Sequence, residues 1–296
     1  MEIRVLRYFL AVVQEGSISA ASKFLHLSQP TLSRQLHELE EELGVILFER
    51  GHRHITLTEK GAFFLQQARE IIALIDKTTS NLQTNVVAGD VYIGCGESEA
   101  VEIITDVYKN ILETHPDVRL HLFSGNSEQL SEKMDRGLLD FSFVIGRIDQ
   151  SKHDFIKLSK QDQWGILMRK DNPLSSKKSI RKEDLSELPL IISNQPRADE
   201  EISNWLLHDV FDLRIIATYN LLYNASLLVQ SGAGFALCLD GILNTTGESP
   251  LCFRPLDPPL FADLAIIWKK HKPLSHAAEL FLSELKRAAS THKNAL

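Results

Sequence analysis

The chain has 296 residues, and its 32 Lys and Arg against 39 Asp and Glu give a formal net charge of −7. The length predicts at least two domains. The proportions of apolar residues (44%) and charged residues (24%) exclude a disordered, collagen-like or disulfide-scaffold chain. The acidic balance disfavours a nucleic-acid coat or a basic membrane-surface protein. It leaves sequence-specific DNA binding open, because that needs only a local patch.

The ends and cysteines of the chain predict a cytoplasmic protein. Arg4 and Arg7 interrupt the N-terminal apolar stretch, and no later run reaches the roughly 18 apolar residues of a spanning helix, so neither a signal peptide nor a membrane span is expected. Cys95, Cys238 and Cys252 have wide spacing that fits no motif, as expected of reduced thiols. No cofactor and no metal are predicted.

Three short helices are predicted in residues 1–44. The first carries one apolar stripe and ends at Gly16. Ser28 is placed to cap the third helix, with Pro30 in its first turn and Gly44 at its end. The inward positions of the third helix are leucines at spacings of 4, 3 and 4, namely Leu32, Leu36, Leu39 and Leu43. Two helices joined by a tight turn, the second with a polar N-terminal face, indicate a helix-turn-helix.

A wing and a long helix are predicted to follow. Apolar residues at 46, 48, 55 and 57 flank the polar tip 50–54, which is typical of a two-stranded wing. The next apolar positions recur at 4, 3, 4 and 7: Phe64, Ala68, Ile71, Ile75 and Leu82. This near-heptad seam predicts a helix that pairs with a copy of itself. Packing of the same helix on its own domain is the alternative.

The remainder alternates β-rich runs with helical segments. The runs lie at 91–95, 118–123, 141–145, 164–168, 189–192, 213–219, 234–239 and 262–268. Helices are predicted at about 99–113, 127–137, 197–208, 221–231 and 275–289. This order predicts parallel α/β sheets in two successive lobes. The predicted domains are a winged helix-turn-helix (1–58), a linker helix (59–88) and an effector domain (89–296), with lobe I at about 89–161 and 267–296 and lobe II at about 162–266.

The outer face of the third helix carries the residue types that read bases. Gln suits adenine, Arg suits guanine, and Ser and Thr suit either base or a phosphate. The wing arginines are predicted to contact the DNA backbone or a minor groove, and the acidic cluster Glu38, Glu40, Glu41 and Glu42 is predicted to point away from DNA. The predicted DNA-binding residues are Ser28, Gln29, Pro30, Thr31, Ser33, Arg34, His37, Arg50 and Arg53. Taken singly, each could instead belong to a solvated face of a helical domain.

Together these segments resemble the LysR-type transcriptional regulators. The similarity rests on Leu6-Arg7-Tyr8-Phe9, on Gly16-Ser17-Ile18-Ser19-Ala20-Ala21-Ser22 and on Leu27-Ser28-Gln29-Pro30-Thr31-Leu32-Ser33-Arg34-Gln35. It continues through Leu39-Glu40, Leu43-Gly44, Leu47-Phe48-Glu49-Arg50, Arg53, Leu57-Thr58 and Gly61. The resemblance implies a winged DNA-binding domain, a dimerising linker helix and an effector domain of two lobes similar to periplasmic binding proteins. The implied partners are a double-stranded DNA operator, a small-molecule effector and a second copy of the chain as dimer or tetramer, with RNA polymerase a further candidate.

An effector is expected between the lobes, at the carboxyl ends of the strands. The candidate contacts are Ser98, Asn126, Ser127, Ser193, Asn194, Arg147 and Arg197. The hypothesis is a small anionic metabolite bound mainly by Ser98 and Asn126. Plain helix capping is the alternative for these polar residues, and the carboxylates of Glu97 and Glu99 oppose an anion.

Two other kinds of protein are alternatives to a DNA-binding regulator. Gly94-Cys95-Gly96 is similar to a dinucleotide fingerprint, but Glu99 replaces its third glycine, and neither a nucleophile elbow nor a Walker A sequence is present. An enzyme is therefore disfavoured. A small-molecule binding protein whose N-terminal helices only mediate assembly is the other rival. Cys95 is predicted to be a buried, inert thiol, with redox sensing as its alternative.

Overall fold

The computed structural model describes residues 1–50, 55–82, 88–207 and 209–293, and the chain forms two units, Met1–Gln83 and Thr84–Leu296. The elements of the N-terminal unit are α1 (Ile3–Glu15), α2 (Ile18–Phe24), α3 (Gln29–Leu43), β1 (Phe48–Arg50), β2 (Ile55–Leu57) and α4 (Glu59–Leu82). Gly16 and Gly44 end α1 and α3 in the left-handed conformation that favours glycine. The Ser28 hydroxyl accepts the Thr31 N–H at 3.3 Å and so caps α3 as predicted.

The core of the N-terminal unit forms where the apolar stripes of its helices meet. Phe9 has no exposed surface, and its ring lies 5.1 Å from that of Phe48 and 4.9 Å from that of Phe64. The leucine face of α3 and residues 64–75 of α4 contribute to the same cluster. The wing, α1 and α4 therefore share one core, which fixes α3 at the surface with its polar face outward.

Gly61 allows α4 to begin against the segment that leads into the wing. A Cβ atom at this position would lie 2.0 Å from the carbonyl oxygen of Leu47, closer than any real contact. The Thr58 hydroxyl accepts the Gly61 N–H at 2.9 Å and donates to the carbonyl of Ile46 at 2.7 Å. Only a glycine permits this approach of backbone to backbone.

The C-terminal unit contains two sheets. The elements of the first lobe are β3 (Gly89–Cys95), α5 (Glu102–Thr114), β4 (Val118–Ser124), α6 (Ser127–Asp135), β5 (Phe141–Ile145), β6 (His153–Lys157), β14 (Leu264–Lys269) and α10 (His276–Lys293). Its strand order in the described residues is β4-β3-β5-β14-β6. Helices α5 and α10 pack on this sheet through fully buried side chains such as Ile104 and Phe281.

The second lobe is formed by the middle of the unit. Its elements are β7 (Asp162–Arg169), β8 (Ile180–Arg181), α7 (Lys182–Leu185), β9 (Leu190–Ser193), α8 (Pro196–Leu206), β10 (Ile215–Tyr219), α9 (Leu222–Gln230), β11 (Phe235–Leu239), β12 (Leu251–Asp257) and β13 (Phe261–Ala262). The strand order is β10-β9-β11-β7-β12-β8, and β13 pairs with β7.

The prediction of parallel sheets is only partly right. β3 pairs in parallel with β4 and β5, and β9 with β10 and β11. The two strands that carry the chain between the lobes run the other way: β14 is antiparallel to β5, and β7 is antiparallel to β11. The return to lobe I comes at Leu264, a few residues before the expected boundary, and strands β6, β8, β12 and β13 were not predicted. None of the described helices has the length and apolar composition needed to cross a membrane.

Candidate DNA interface and effector cleft

The N-terminal face of α3 is polar and open to solvent. Ser33 is half-buried, and the other predicted residues of this helix are exposed: Ser28, Gln29, Pro30, Thr31, Arg34 and His37. Leu32 and Leu36 hold the opposite face in the core. A surface helix with solvent-exposed hydroxyl, amide and guanidinium groups on its first two turns has the chemistry for base edges and phosphates.

The acidic residues of α3 do not all point away from this face. Nε of Arg34 lies 3.6 Å from Oε1 of Glu38, and Nε2 of His37 lies 3.4 Å from Oε1 of Glu41. Residues four apart on a helix are neighbours, which brings each glutamate beside a predicted base-reading side chain. Glu38 and Glu41 therefore lie beside the predicted DNA-binding face, and not on the side of the helix opposite to it.

Glu40 departs from the prediction in the opposite direction, because it points inward. Only 9% of Glu40 is exposed. Its Oε1 accepts the backbone N–H groups of Leu47 at 2.7 Å and Phe48 at 3.1 Å. Glu40 thus fixes the entry to the wing against α3. The side chain of Arg50 and all of Arg53 lie outside the described residues.

Helix α4 presents a different apolar face from the one predicted to pair. Ala68 is fully buried in the core of its own unit, so its assignment to a pairing seam is wrong. Phe64 and Ile75 also pack against that core, and the side chain of Leu82 lies outside the described part. Ile71 is exposed, as a pairing residue requires. The large apolar side chains left exposed on the described part of α4 are Phe63 (69%), Ile71 (37%) and Leu74 (42%).

A cavity of about 330 Å³ lies between the two lobes of the C-terminal unit. Its size falls within the range of small-molecule sites. Of the predicted contacts, Ser127, Arg147 and Ser193 line this cavity. The guanidinium of Arg147 lies 3.7 Å from the carboxylate of Glu200, and 87% of the Arg147 side chain is exposed.

Other predicted contacts serve as helix caps instead. The Ser98 hydroxyl accepts the Ala100 N–H at 3.0 Å, and the Asn126 side chain accepts the Gln129 N–H at 3.0 Å. Neither residue lines the cavity, and neither does Asn194. The predicted roles of Ser98 and Asn126 as main effector contacts are therefore wrong for this cavity. The side chain of Arg197 lies outside the described residues.

Two helix N-termini at the cleft are already occupied by side chains from the opposite lobe. The N–H of Ser127, at the start of α6 in lobe I, donates to Oε1 of Gln195 in lobe II at 3.1 Å. The N–H of Leu222, at the start of α9 in lobe II, donates to the carboxylate of Glu97 in lobe I. Each lobe therefore satisfies a helix end of the other, at the places where an anion is expected to bind.

Glu97 and Glu201 place one carboxylate from each lobe in the cavity wall. Burial raises the pKa of both side chains. The backbone N–H groups of Leu222 and Tyr223 lower the pKa of Glu97 in part, and Trp164 does the same for Glu201, whose Oε2 accepts the indole N–H at 3.1 Å. Among the described residues, no lysine or arginine nitrogen lies within 4.0 Å of either carboxylate.

Sequence reasoning missed most of the cavity wall. Ser142 is 1% exposed, lines the cavity, and its hydroxyl has no hydrogen-bond partner among the described residues. Tyr219 also lines the cavity, with its own hydroxyl donating to the carbonyl of Leu237 at 2.8 Å. Both residues lie in strands and have no motif around them. Their positions at the inner edge follow only from the sheet order.

The cysteines and the possible metal ligands show no sign of a reactive or metal-binding site in the described residues. All three cysteines are buried, and burial raises the pKa of Cys95 to about 12. A thiol with so high a pKa is a poor nucleophile and a poor redox sensor. The described residues contain no group of three or more His, Cys, Asp or Glu arranged to hold a metal ion.

Two family models match this chain and identify its family. Residues 3–62 match the model of the bacterial regulatory helix-turn-helix protein, lysR family, and residues 84–290 match the LysR substrate binding domain. The chain belongs to the LysR family and is a DNA-binding transcriptional regulator with an effector-binding domain. This family consists of transcriptional regulators, which sets aside the enzymatic alternative.

Named relatives are transcriptional regulators, and a solved structure shares the fold. A probable RuBisCO transcriptional regulator of Porphyra purpurea is 28% identical over 78% of this chain and 75% of its own length. The regulator ClcR of Pseudomonas putida is 34% identical over 48% of this chain and 49% of its own. The crystal structure of full-length CbnR with its target DNA matches with a TM-score of 0.75, 22% identity and coverage of 98% of this chain and 100% of that one.

Proposed function

We propose that this regulator reads its operator through the exposed N-terminal face of α3. The observation that carries the proposal is the separation of faces on this helix, with leucines buried and Gln29, Thr31 and Arg34 open to solvent. In a dimer, two such helices would enter successive major grooves about 34–36 Å apart, on an interrupted palindrome. Phosphate contacts from Ser28 and the wing arginines would fix the register on the duplex.

Gel shift on DNA from upstream of the chain's own gene tests this proposal. Arg34→Ala removes a group that pairs bidentately with guanine, a contact that discriminates by about 1–3 kcal/mol, so specific binding should fall by roughly 5- to 150-fold per site. Arg69→Ala is the matched control, because Arg69 is exposed on α4. A specific shift that survives Arg34→Ala at equal salt would contradict the assignment.

The cavity between the lobes is the proposed effector site. It is supported by its volume, by the polar groups that converge on it and by its place at the carboxyl ends of β3, β5 and β9. A ligand there shifts the arrangement of the protein only if it binds two arrangements with different affinity. The anionic effector expected from the sequence gains support from Arg147 at the cavity wall and loses it at Glu97 and Glu201.

Self-association through α4 is also proposed, with Phe63, Ile71 and Leu74 as the paired surface. Three exposed apolar side chains on one helix favour burial against a like surface. The choice between dimer and tetramer, a contact with RNA polymerase and a cytoplasmic location stay predictions.

A further inference from the structure

The effector cleft carries chemistry that suits one class of ligand. We propose that it takes a small organic molecule bearing an amino or guanidino group, held between the carboxylates of Glu97 and Glu201. The inference rests on the proposed effector site and names the chemical class of its ligand.

The first argument is that the cleft's anion-binding positions are already filled. A carboxylate ligand would bind at helix N-termini, where free N–H groups and the helix dipole favour negative charge. At α9 that position holds the Glu97 carboxylate, and at α6 it holds the Gln195 amide oxygen. An acid would have to displace the protein's own acceptor and then lie beside the displaced charge.

The second argument is the charge of the wall. Arg147 and Lys152 line the cavity, but Glu200 and Asp149 lie 3.7 and 4.0 Å from them. No lysine or arginine nitrogen among the described residues lies within 4.0 Å of Glu97 or Glu201, and Arg147 lowers the pKa of Glu201 only in part, against the larger effect of burial. A buried carboxylate is stabilised by an opposite charge, and a ligand ammonium or guanidinium supplies that charge with N–H donors for the oxygens that remain open.

The third argument is independent of the carboxylates. The Ser142 hydroxyl is buried at the cavity wall and has no partner among the described residues. A buried hydroxyl without a hydrogen bond is costly, so a ligand whose polar atom reaches this hydroxyl would gain free energy from it. A hydroxyl can donate as well as accept, so Ser142 favours a polar ligand atom, and the two carboxylates favour a positive charge on that ligand.

Calorimetric titration of the full-length chain tests the proposal with matched probes. Butylamine, 1,4-diaminobutane and agmatine are compared with butyric and succinic acids at near-physiological salt, which suppresses surface charge effects. We expect at least one amine to bind with one molecule per chain, and the acids not to bind. Glu97→Gln and Glu201→Gln should each weaken amine binding at least tenfold. Glu102→Gln, which removes an exposed carboxylate on α5, should leave it unchanged.

Ser142→Ala provides a second test that does not depend on the folding of the glutamine variants. It deletes a hydroxyl that has no partner among the described residues, so the melting temperature should not fall, while amine binding should weaken severalfold. Binding of the acids alone, failure of all three amines to bind, or equal amine binding by the parent and both glutamine variants would overturn the proposal.

The operator gel shift, repeated with and without saturating amine, separates this inference from the proposed function. An amine that binds in the cleft without changing the shift would refute the proposed ligand response and leave the ligand class standing. A gel shift that responds to an acid and not to an amine would support the proposed ligand response and refute the proposed ligand class.

Discussion

Glu40 should be a major source of stability in the DNA-binding unit. Its Oε1 accepts two backbone N–H groups, those of Leu47 and Phe48, in a part of the core where Leu47 has no exposed surface and Phe48 has 5%. Each buried donor left without an acceptor costs about 1–3 kcal/mol. Glu40→Ala leaves both donors without an acceptor. We expect the free energy of unfolding to fall by about 3 kcal/mol, allowing for partial hydration of the two N–H groups. This is a large share of the roughly 5–15 kcal/mol by which a typical domain is stable.

The tryptophans of the chain make the measurement selective. All three, Trp164, Trp205 and Trp268, lie in the C-terminal unit. In urea, far-UV circular dichroism therefore follows both units, and tryptophan fluorescence follows the C-terminal unit alone. For Glu40→Ala the early part of the dichroism transition should move to lower urea, while the fluorescence transition stays in place.

Two variants bracket the expected loss. Glu40→Gln keeps a neutral acceptor for the same N–H groups, and should cost about 1 kcal/mol. Glu41→Ala removes the neighbouring exposed carboxylate and its contact with His37, and should change stability by less than about 0.5 kcal/mol. Equal behaviour of Glu40→Ala and Glu41→Ala, or an equal shift of the fluorescence transition, would refute the reasoning.

Two further perturbations follow from the same contacts. Leu74→Glu places a charge on the exposed apolar face of α4 and should lower the oligomer mass measured by sedimentation equilibrium. Thr79→Glu is the control and should leave the mass unchanged, because Thr79 is exposed about 140° around the helix from Leu74. An unchanged mass for Leu74→Glu would exclude that face from self-association. Burial raises the pKa of Asp162 above its ordinary 3.8, so the folded state retains this proton to higher pH than the unfolded state, and stability falls as pH rises through that window. Asp162→Asn should therefore lose less stability than the parent as pH rises above that ordinary value in urea titrations, and an identical slope would count against the buried charge.

Local patterns predicted α3 well because every signal for it lies within a few residues. The cap at Ser28, the leucine spacing and the stop at Gly44 act over one or two helical turns. The same reasoning failed for α4, because an apolar stripe predicts that one face of a helix is buried but does not identify the surface that buries it. Ala68 is covered by α1 and its neighbours in the same unit, and a second copy has no access to it.

The cleft was harder to predict because its contacts join distant parts of the sequence. Glu97 lies 125 residues from Leu222, whose N–H it accepts, and Gln195 lies 68 residues from Ser127. A glutamate after a strand looks like a solvated charge until the position of α9 is known. The burial of Glu40 could not be predicted either, because three neighbouring glutamates of the same type are exposed and nothing in the sequence distinguishes Glu40 from them.

The two bonds between the lobes also determine how each ligand class would act. The bonds of Ser127 to Gln195 and of Leu222 to Glu97 both join the two lobes, so a separation of the lobes would exchange both of them for bonds to water. Each such bond is worth about 0.5–1.5 kcal/mol net, and more where a charge is involved, so together they favour this arrangement by an amount comparable to a typical coupling free energy of about 1–3 kcal/mol. An amine that binds Glu97 leaves the Leu222 N–H in place and adds to the same arrangement. An acid competes with Glu97 for that N–H and favours separation. If the proposed effector site is right, the chemical class of the effector would therefore fix the sign of the conformational shift, because a ligand moves the equilibrium only by its difference in affinity between the two states.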